Sequence, residues 1–323
     1  MSGWDTIAAR WRQAPEVLPV AGGVEPAATL KSFDHCSGWA AREARPILTC
    51  LRPLAQPRRQ SLVAVLAWYR VVRNLIDGNW PVEARQQNLA RLRDQTERAL
   101  DANPPRHADP LWPAFSAAVC SYAIDPGWVL SALDEFGRDL EVRSHETTAD
   151  LKESAVAGWG SLAIVVLAIG GLGPQADAHE AARVARRWGA SMRVVGVLRN
   201  FARDFDAIPR RVHLPTESFK EAGLTPFKLR AWTASDRCAE FVAQWSRTAR
   251  LGLSHGSDLA SMMAPDAGRA ILALSDLGAG VLTELDRDPN RIVRGGQING
   301  PSSWASRVVV KARMGRRVGI GRP

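Results

Sequence analysis

Asn200, Arg203 and Asp204 stand at i, i+3 and i+4 in the segment Asn200-Phe-Ala-Arg203-Asp204-Phe-Asp206-Ala-Ile-Pro-Arg210-Arg211-Val-His213-Leu-Pro215. On a helix these three side chains project from one face. An amide, a guanidinium and a carboxylate together can hold a metal ion or a polyanion; the same set also makes an exposed, salt-bridged helix end. A second segment, Trp68-Tyr69-Arg70-Val-Val-Arg73-Asn74-Leu-Ile-Asp77, puts Arg70, Arg73, Asn74 and Asp77 at i, i+3, i+4 and i+7, again one face. Two polar stripes inside an all-α protein can form a polar site between them. Acidic stripes of this kind hold Mg²⁺, which clamps a diphosphate through oxygen ligands. His213 and His145 are candidate acid/base groups because imidazole titrates near neutrality, and both are open to a purely structural reading.

Such stripes need helices to carry them, and the chain is helical in texture almost throughout. Ala, Leu, Arg and Glu dominate the long segments, and none alternates apolar with polar residues. With 323 residues the chain can bury a large core, so a single all-α domain is expected. Helices are predicted over 61–77, 81–101, 126–143 and 178–207. Gly78 is read as a left-handed cap for the first, and Asp150 as the N-cap of another. Pro209 disfavours helical geometry at Ile208. The apolar run 162–170 is too short to cross a bilayer and reads as a buried helix. Gly170-Gly171-Leu-Gly173-Pro174 is a helix–helix turn, since it lacks the third glycine of a dinucleotide loop and follows a helix. Residues 1–29 read as a loosely ordered arm, 30–305 as the main domain and 306–323 as a basic tail.

The net charge of +9 comes mostly from arginine, lysine occurring only at positions 31, 152, 220, 228 and 311. That balance suits phosphates or acidic lipid surfaces. Nucleic acid is not expected, because no basic helix or zinc module of the usual binding families is present. The tail from Arg307 to Arg317 can rest on an anionic bilayer or stand as a solvated basic end. Cys36, Cys50, Cys120 and Cys238 show no metal-type spacing and read as reduced thiols of a cytoplasmic protein. The opening thirty residues have no signal-peptide pattern. Trp68, Trp159, Trp188 and Trp232 read as core residues, with the lining of an apolar tunnel, or a ring face set against a cation, as the alternative.

Five segments together resemble one family. They are Leu30-Lys31-Ser32-Phe33; Ala67 to Asp77; Phe136-Gly-Arg138-Asp139-Leu140 with Thr147, Leu151 and Ala157-Gly158; Asn200-Phe-Ala-Arg203-Asp204; and Arg211-Val-His213-Leu214-Pro215. From about 30 to about 285 the chain looks like a squalene/phytoene synthase, the enzymes that join two prenyl diphosphates head to head. The resemblance implies an isoprenoid-synthase bundle around a central cavity, with the opening serine, here Ser32, touching diphosphate. It also implies two aspartate-rich motifs, the first normally Arg-x-x-Asp-Asp-x-x-Asp. In this sequence Arg73 and Asn74 replace the two leading aspartates, leaving Asp77. In the second motif Ile208 replaces the distal aspartate, leaving Asp204. Asp206 can substitute only if the helix unwinds before Pro209, and His213 stands where the closing motif has tyrosine.

A trinuclear Mg²⁺ cluster needs about five or six carboxylate contacts, more than remain. The sequence expectation is therefore a divergent prenyltransferase acting on farnesyl or geranylgeranyl diphosphate. Its diphosphate would be held by Lys31, Ser32, Arg70, Arg73, Asn200, Arg203 and Arg211, with at most one Mg²⁺ on Asp77 and Asp204. The alternative is an inactive member retained for lipid binding or assembly. Oligomeric state is left open.

Overall fold

The computed structural model describes residues 3–294, apart from positions 14, 16, 79, 106–108, 123, 142 and 143. Fifteen α-helices follow one another among the described residues: α1 (Gly3–Arg12), α2 (Pro26–Glu43), α3 (Arg45–Cys50), α4 (Gln56–Asp77), α5 (Val82–Leu100), α6 (Trp112–Ser121), α7 (Pro126–Arg138), α8 (Thr148–Ala155), α9 (Ser161–Gly170), α10 (Ala178–Asp206), α11 (Thr216–Glu221), α12 (Pro226–Ala231), α13 (Ser235–Leu253), α14 (His255–Met262) and α15 (Pro265–Arg287). No strand occurs among them, as expected for an all-α chain. Proline in the first turn, where its missing N–H is not needed, starts α2, α4, α6, α7 and α15. Side-chain caps start others: the Asp177 carboxylate accepts from the Glu180 N–H at the head of α10.

Several boundaries differ from the sequence expectation for local reasons. Thr147, not Asp150, is the N-cap of α8. Asp150 sits at the third position and completes a reciprocal capping box with Thr147. Gly78 has φ −67° and ψ 153°, so α4 leaves through extended backbone rather than a left-handed cap. The expected loose arm is instead anchored: α1 is helical and Trp11 is 1% exposed, packed against Trp128 at 5.7 Å. The Leu172 N–H donates to the Trp11 carbonyl at 3.1 Å. The basic tail, 306–323, lies outside the described residues.

Two apolar cores are stacked along α10, which at 29 residues is about 43 Å long. The larger is built from α2, α4, α6, α7, α9 and the first half of α10, around Phe33, Trp68, Trp112 and Ile164. The smaller gathers Phe201, Phe205, Phe219, Phe241 and Leu282 around the second half of α10. Trp68 and Trp188 are core residues with satisfied indoles, donating to Thr96 at 3.1 Å and Ser275 at 2.9 Å.

Helices α8 and α9 form one run, Thr148–Gly170, joined by a π-helical turn at Val156–Gly160. By length and composition this run could cross a membrane, yet Ile164, Val165, Leu167 and Ile169 are fully buried among its neighbours. Gly189 lets α10 lie directly on the π turn, because a side chain there would run into the Trp159 carbonyl. The rings of Tyr69, Phe136 and Trp159, from α4, α7 and the π turn, meet edge-on at 5.2 to 6.5 Å. They form an aromatic floor on the inner side of the site.

Candidate functional site

Helices α4 and α10 end beside each other, and their last polar residues face each other. On α4, residues 65, 69, 72 and 76 point into the core, so Arg73 and Asp77 fall at the inner edge of the polar stripe. On α10, residues 193, 200 and 204 recur at 7 and 4, placing Arg193, half-buried Asn200 and buried Asp204 on one face. The turn after α10 then folds back: the Arg211 N–H donates to the Asp204 carbonyl at 2.9 Å, which brings Arg211 and His213 against the same face.

The result is a lattice of charges. Arg73 donates through Nη1 to Asp139 at 2.6 Å and through Nη2 to Asp77 at 2.7 Å. Arg211 reaches Asp77 at 2.9 Å and the Ile76 carbonyl at 3.1 Å. Arg203 holds Asp204 through Nε at 3.1 Å and Nη2 at 2.9 Å. The gap between Asp77 and Asp204 is spanned by two guanidinium groups, Arg203 and Arg211, each 3.6 Å from its second carboxylate. Arg193 completes the set, 3.4 Å from Asp139 and 3.3 Å from His213 Nδ1. Four guanidinium groups therefore face three carboxylates, leaving the cluster cationic. Arg203 is the group at its rim, with a side chain 53% exposed.

Burial would push the Asp139 carboxyl up, but Arg193 and Arg73 outweigh it and hold the group well below the usual carboxylate range. His213 is pushed the other way. Burial is the largest cause and Arg193 the next, so its imidazole charges only well below its usual value near 6.5. A guanidinium can only donate, so His213 Nδ1 accepts from Arg193 and the ring proton rests on Nε2. Nε2 has no hydrogen-bond partner and lies 3.7 Å from Asp204 Oδ2. A general-base role at Nδ1 is closed by Arg193, leaving Nε2–H as a donor. His145, its ring tilted against that of His213 with centroids 6.3 Å apart, is also lowered, mainly by burial.

These shifts set the acid sensitivity of the fold. An imidazole kept neutral when folded takes up its proton more readily unfolded, so stability rises with pH in that range. Stability should therefore fall as pH drops through 6.5, with a slope approaching about 1.4 kcal/mol per pH unit from His213 alone. Urea unfolding of His213→Gln between pH 7 and pH 5 should show a flatter slope. An unchanged slope would mean that His213 is not held neutral.

The structure brings together Asp77, Asp204, His213, Arg73, Arg203 and Arg211, with Asn200 beside them on α10. It does not bring in the others. Arg70 is turned outward onto Glu43 of α2 at 3.0 Å, both half-exposed. Lys31 is exposed on α2. Ser32 spends its hydroxyl on the backbone, donating to the Pro110 carbonyl at 2.6 Å and accepting from the Ala114 N–H at 2.8 Å. Asp206 is paired with Arg230 of α12 at 2.7 Å, because α10 stays helical through it and carries it to the opposite side from Asp204.

Around the two carboxylates expected to hold magnesium, arginine is the nearest neighbour. The described residues contain no group of three or more His, Cys, Asp or Glu side chains placed to hold a metal ion, and guanidinium nitrogens occupy the approach to Asp77 and Asp204. Asp139 and Arg193 carry as much of the lattice as any predicted residue. The 193–200–204 spacing was the available signal for Arg193; Asp139 follows the last turn of α7, where helical periodicity no longer speaks.

Residues 40–313 match the squalene/phytoene synthase family. A chloroplastic phytoene synthase of Daucus carota is 22% identical over 223 residues, 68% of this chain and 55% of that protein. Phytoene synthase 2 of Solanum lycopersicum is 21% identical over 286 residues, 88% of this chain and 91% of that protein. A presqualene diphosphate synthase of Rhodopseudomonas palustris is 27% identical over 180 residues, 54% of this chain and 60% of that protein. This chain thus spans little more than half the length of the carrot protein it matches. Among solved structures, a dehydrosqualene synthase in complex with ligand superposes with a TM-score of 0.77 at 18% identity, covering 90% of this chain and 98% of that one. Squalene synthase HpnC from Alicyclobacillus acidocaldarius gives 0.70 at 19%, covering 81% and 96%. The fold is that of these synthases, and the chain belongs to the squalene/phytoene synthase family.

Proposed function

We propose that the chain binds an allylic isoprenoid diphosphate, such as farnesyl or geranylgeranyl diphosphate, against the rim of the arginine–aspartate lattice. It then transfers the prenyl group with release of pyrophosphate. In that step the allylic C–O bond breaks, the electron pair leaves with pyrophosphate, and the prenyl cation is captured by a second substrate. The observation that carries this reading is the surplus of guanidinium over carboxylate between the ends of α4 and α10, with Arg203 half-exposed at the edge. A planar guanidinium fork can bond two phosphate oxygens at once and neutralise the leaving group without a metal ion. Asn200, a turn earlier on α10, adds an amide donor.

A second reading is favoured by one observation. Asp77, Asp139 and Asp204 are each already neutralised by arginine, as in a member that keeps the fold and binds prenyl lipid without turning it over. Incubation with farnesyl and geranylgeranyl diphosphate separates the two. The transferase reading expects pyrophosphate release that survives EDTA and falls about tenfold or more in Arg203→Gln. Mass spectrometry would identify the product. A rise in melting temperature with prenyl diphosphate but no release supports the second reading. Neither response would sink both.

A further inference from the structure

We propose that the end of the bundle carrying Trp80, Ile208 and Phe227 docks on an anionic lipid bilayer. These three are 64%, 85% and 60% exposed, which is unusual for side chains of this size. The turns that carry them adjoin one another. Trp80 follows Asp77 by three residues and Ile208 precedes Arg211 by three, and Asp77 and Arg211 are bonded at 2.9 Å. Phe227 packs edge-on against Phe205 of the same turn region at 5.2 Å.

Arg210 fixes this presentation. Its guanidinium lies 4.4 Å from the Phe205 ring and 4.6 Å from the Phe227 ring, while its Nε donates to the Phe205 carbonyl at 3.0 Å. The Phe227 ring is thus braced at the surface by a cation, while Phe205 beneath it belongs to the smaller core. Lys228 beside Phe227 is exposed, and Arg230 neutralises Asp206, the acidic residue nearest Ile208. Exposed aromatic and branched side chains ringed by arginine and lysine are the composition that partitions into the headgroup region of acidic membranes. Docked this way, the bilayer would lie against the rim where Arg203 emerges.

The test is flotation of the full chain with phosphatidylglycerol/phosphatidylcholine vesicles, in the absence of any prenyl diphosphate. Binding is therefore read independently of the proposed activity. The wild-type chain should float with anionic vesicles, less so at high salt, and not with pure phosphatidylcholine. Ile208→Ser combined with Phe227→Ser should weaken that binding about tenfold or more in a chain that still melts cooperatively. Leu251→Ser, at the far end of α13, should leave it intact. Equal flotation of the double variant would overturn the proposal. So would a self-association in sedimentation velocity that the double variant abolishes while vesicles go unbound.

Discussion

Asp139→Asn is expected to lower the stability of the folded chain by about 3–5 kcal/mol, the range for removing one partner of a buried ion pair. Asp139 has 12% of its side chain exposed and meets three groups that burial leaves few alternatives: Arg73 at 2.6 Å, Arg193 at 3.4 Å and His213 at 3.8 Å. Asparagine keeps the shape but removes the charge, leaving two buried guanidinium groups with less compensation. Urea unfolding at unchanged m-value is the measurement. Adding Arg193→Met to Asp139→Asn should recover a large part of the loss, because it removes the stranded cation together with its partner. A loss under about 1 kcal/mol for Asp139→Asn would show that the lattice is screened by water and matters little.

Arg73→Asp should have an effect of similar size but opposite logic. It reverses the charge of the cluster, placing a fourth carboxylate beside Asp77 and Asp139 at the position where the family's first motif carries aspartate. Without a divalent cation the variant should lose at least the same 3–5 kcal/mol. With Mg²⁺ at about a hundred times its dissociation constant it should regain about 2.7 kcal/mol, while the wild-type chain should not respond. Melting temperature with and without MgCl₂ reads both. A wild-type rise equal to that of the variant would contradict the substitution of arginine for metal.

Much of the fold was legible because helix periodicity and caps are local. The polar stripe of α4, the long α10 and the buried run at 162–170 all follow from spacing over a few turns. The site was legible where a residue lay on such a stripe, as for Arg73, Asp77 and Asp204. It failed where outcome depended on a neighbour from elsewhere in the chain. Arg70 shares the α4 stripe with Arg73 but is drawn off by Glu43 of α2. Ser32 occupies a motif position, yet the backbone around Pro110 and Ala114 takes its hydroxyl. Asp139 belongs to a segment that carries the family resemblance, but the helix expected over 126–143 stops at Arg138, so periodicity does not lead from it to Arg73. Trp11 was read as part of a loose arm because proline and glycine punctuate its surroundings, and only Trp128 and the turn at Leu172 show what it packs on.

The anchoring of α1 has a practical corollary for anyone isolating the family region by itself. The family match begins at residue 40, but Trp11 and Phe33, both upstream, are among the most deeply buried side chains of the larger core. Trimming to the matched span would strip a wall from the interior and leave Trp128 and Leu172 facing solvent. The side chains that close the larger core therefore begin well upstream of residue 40, with Trp11 packed on Trp128.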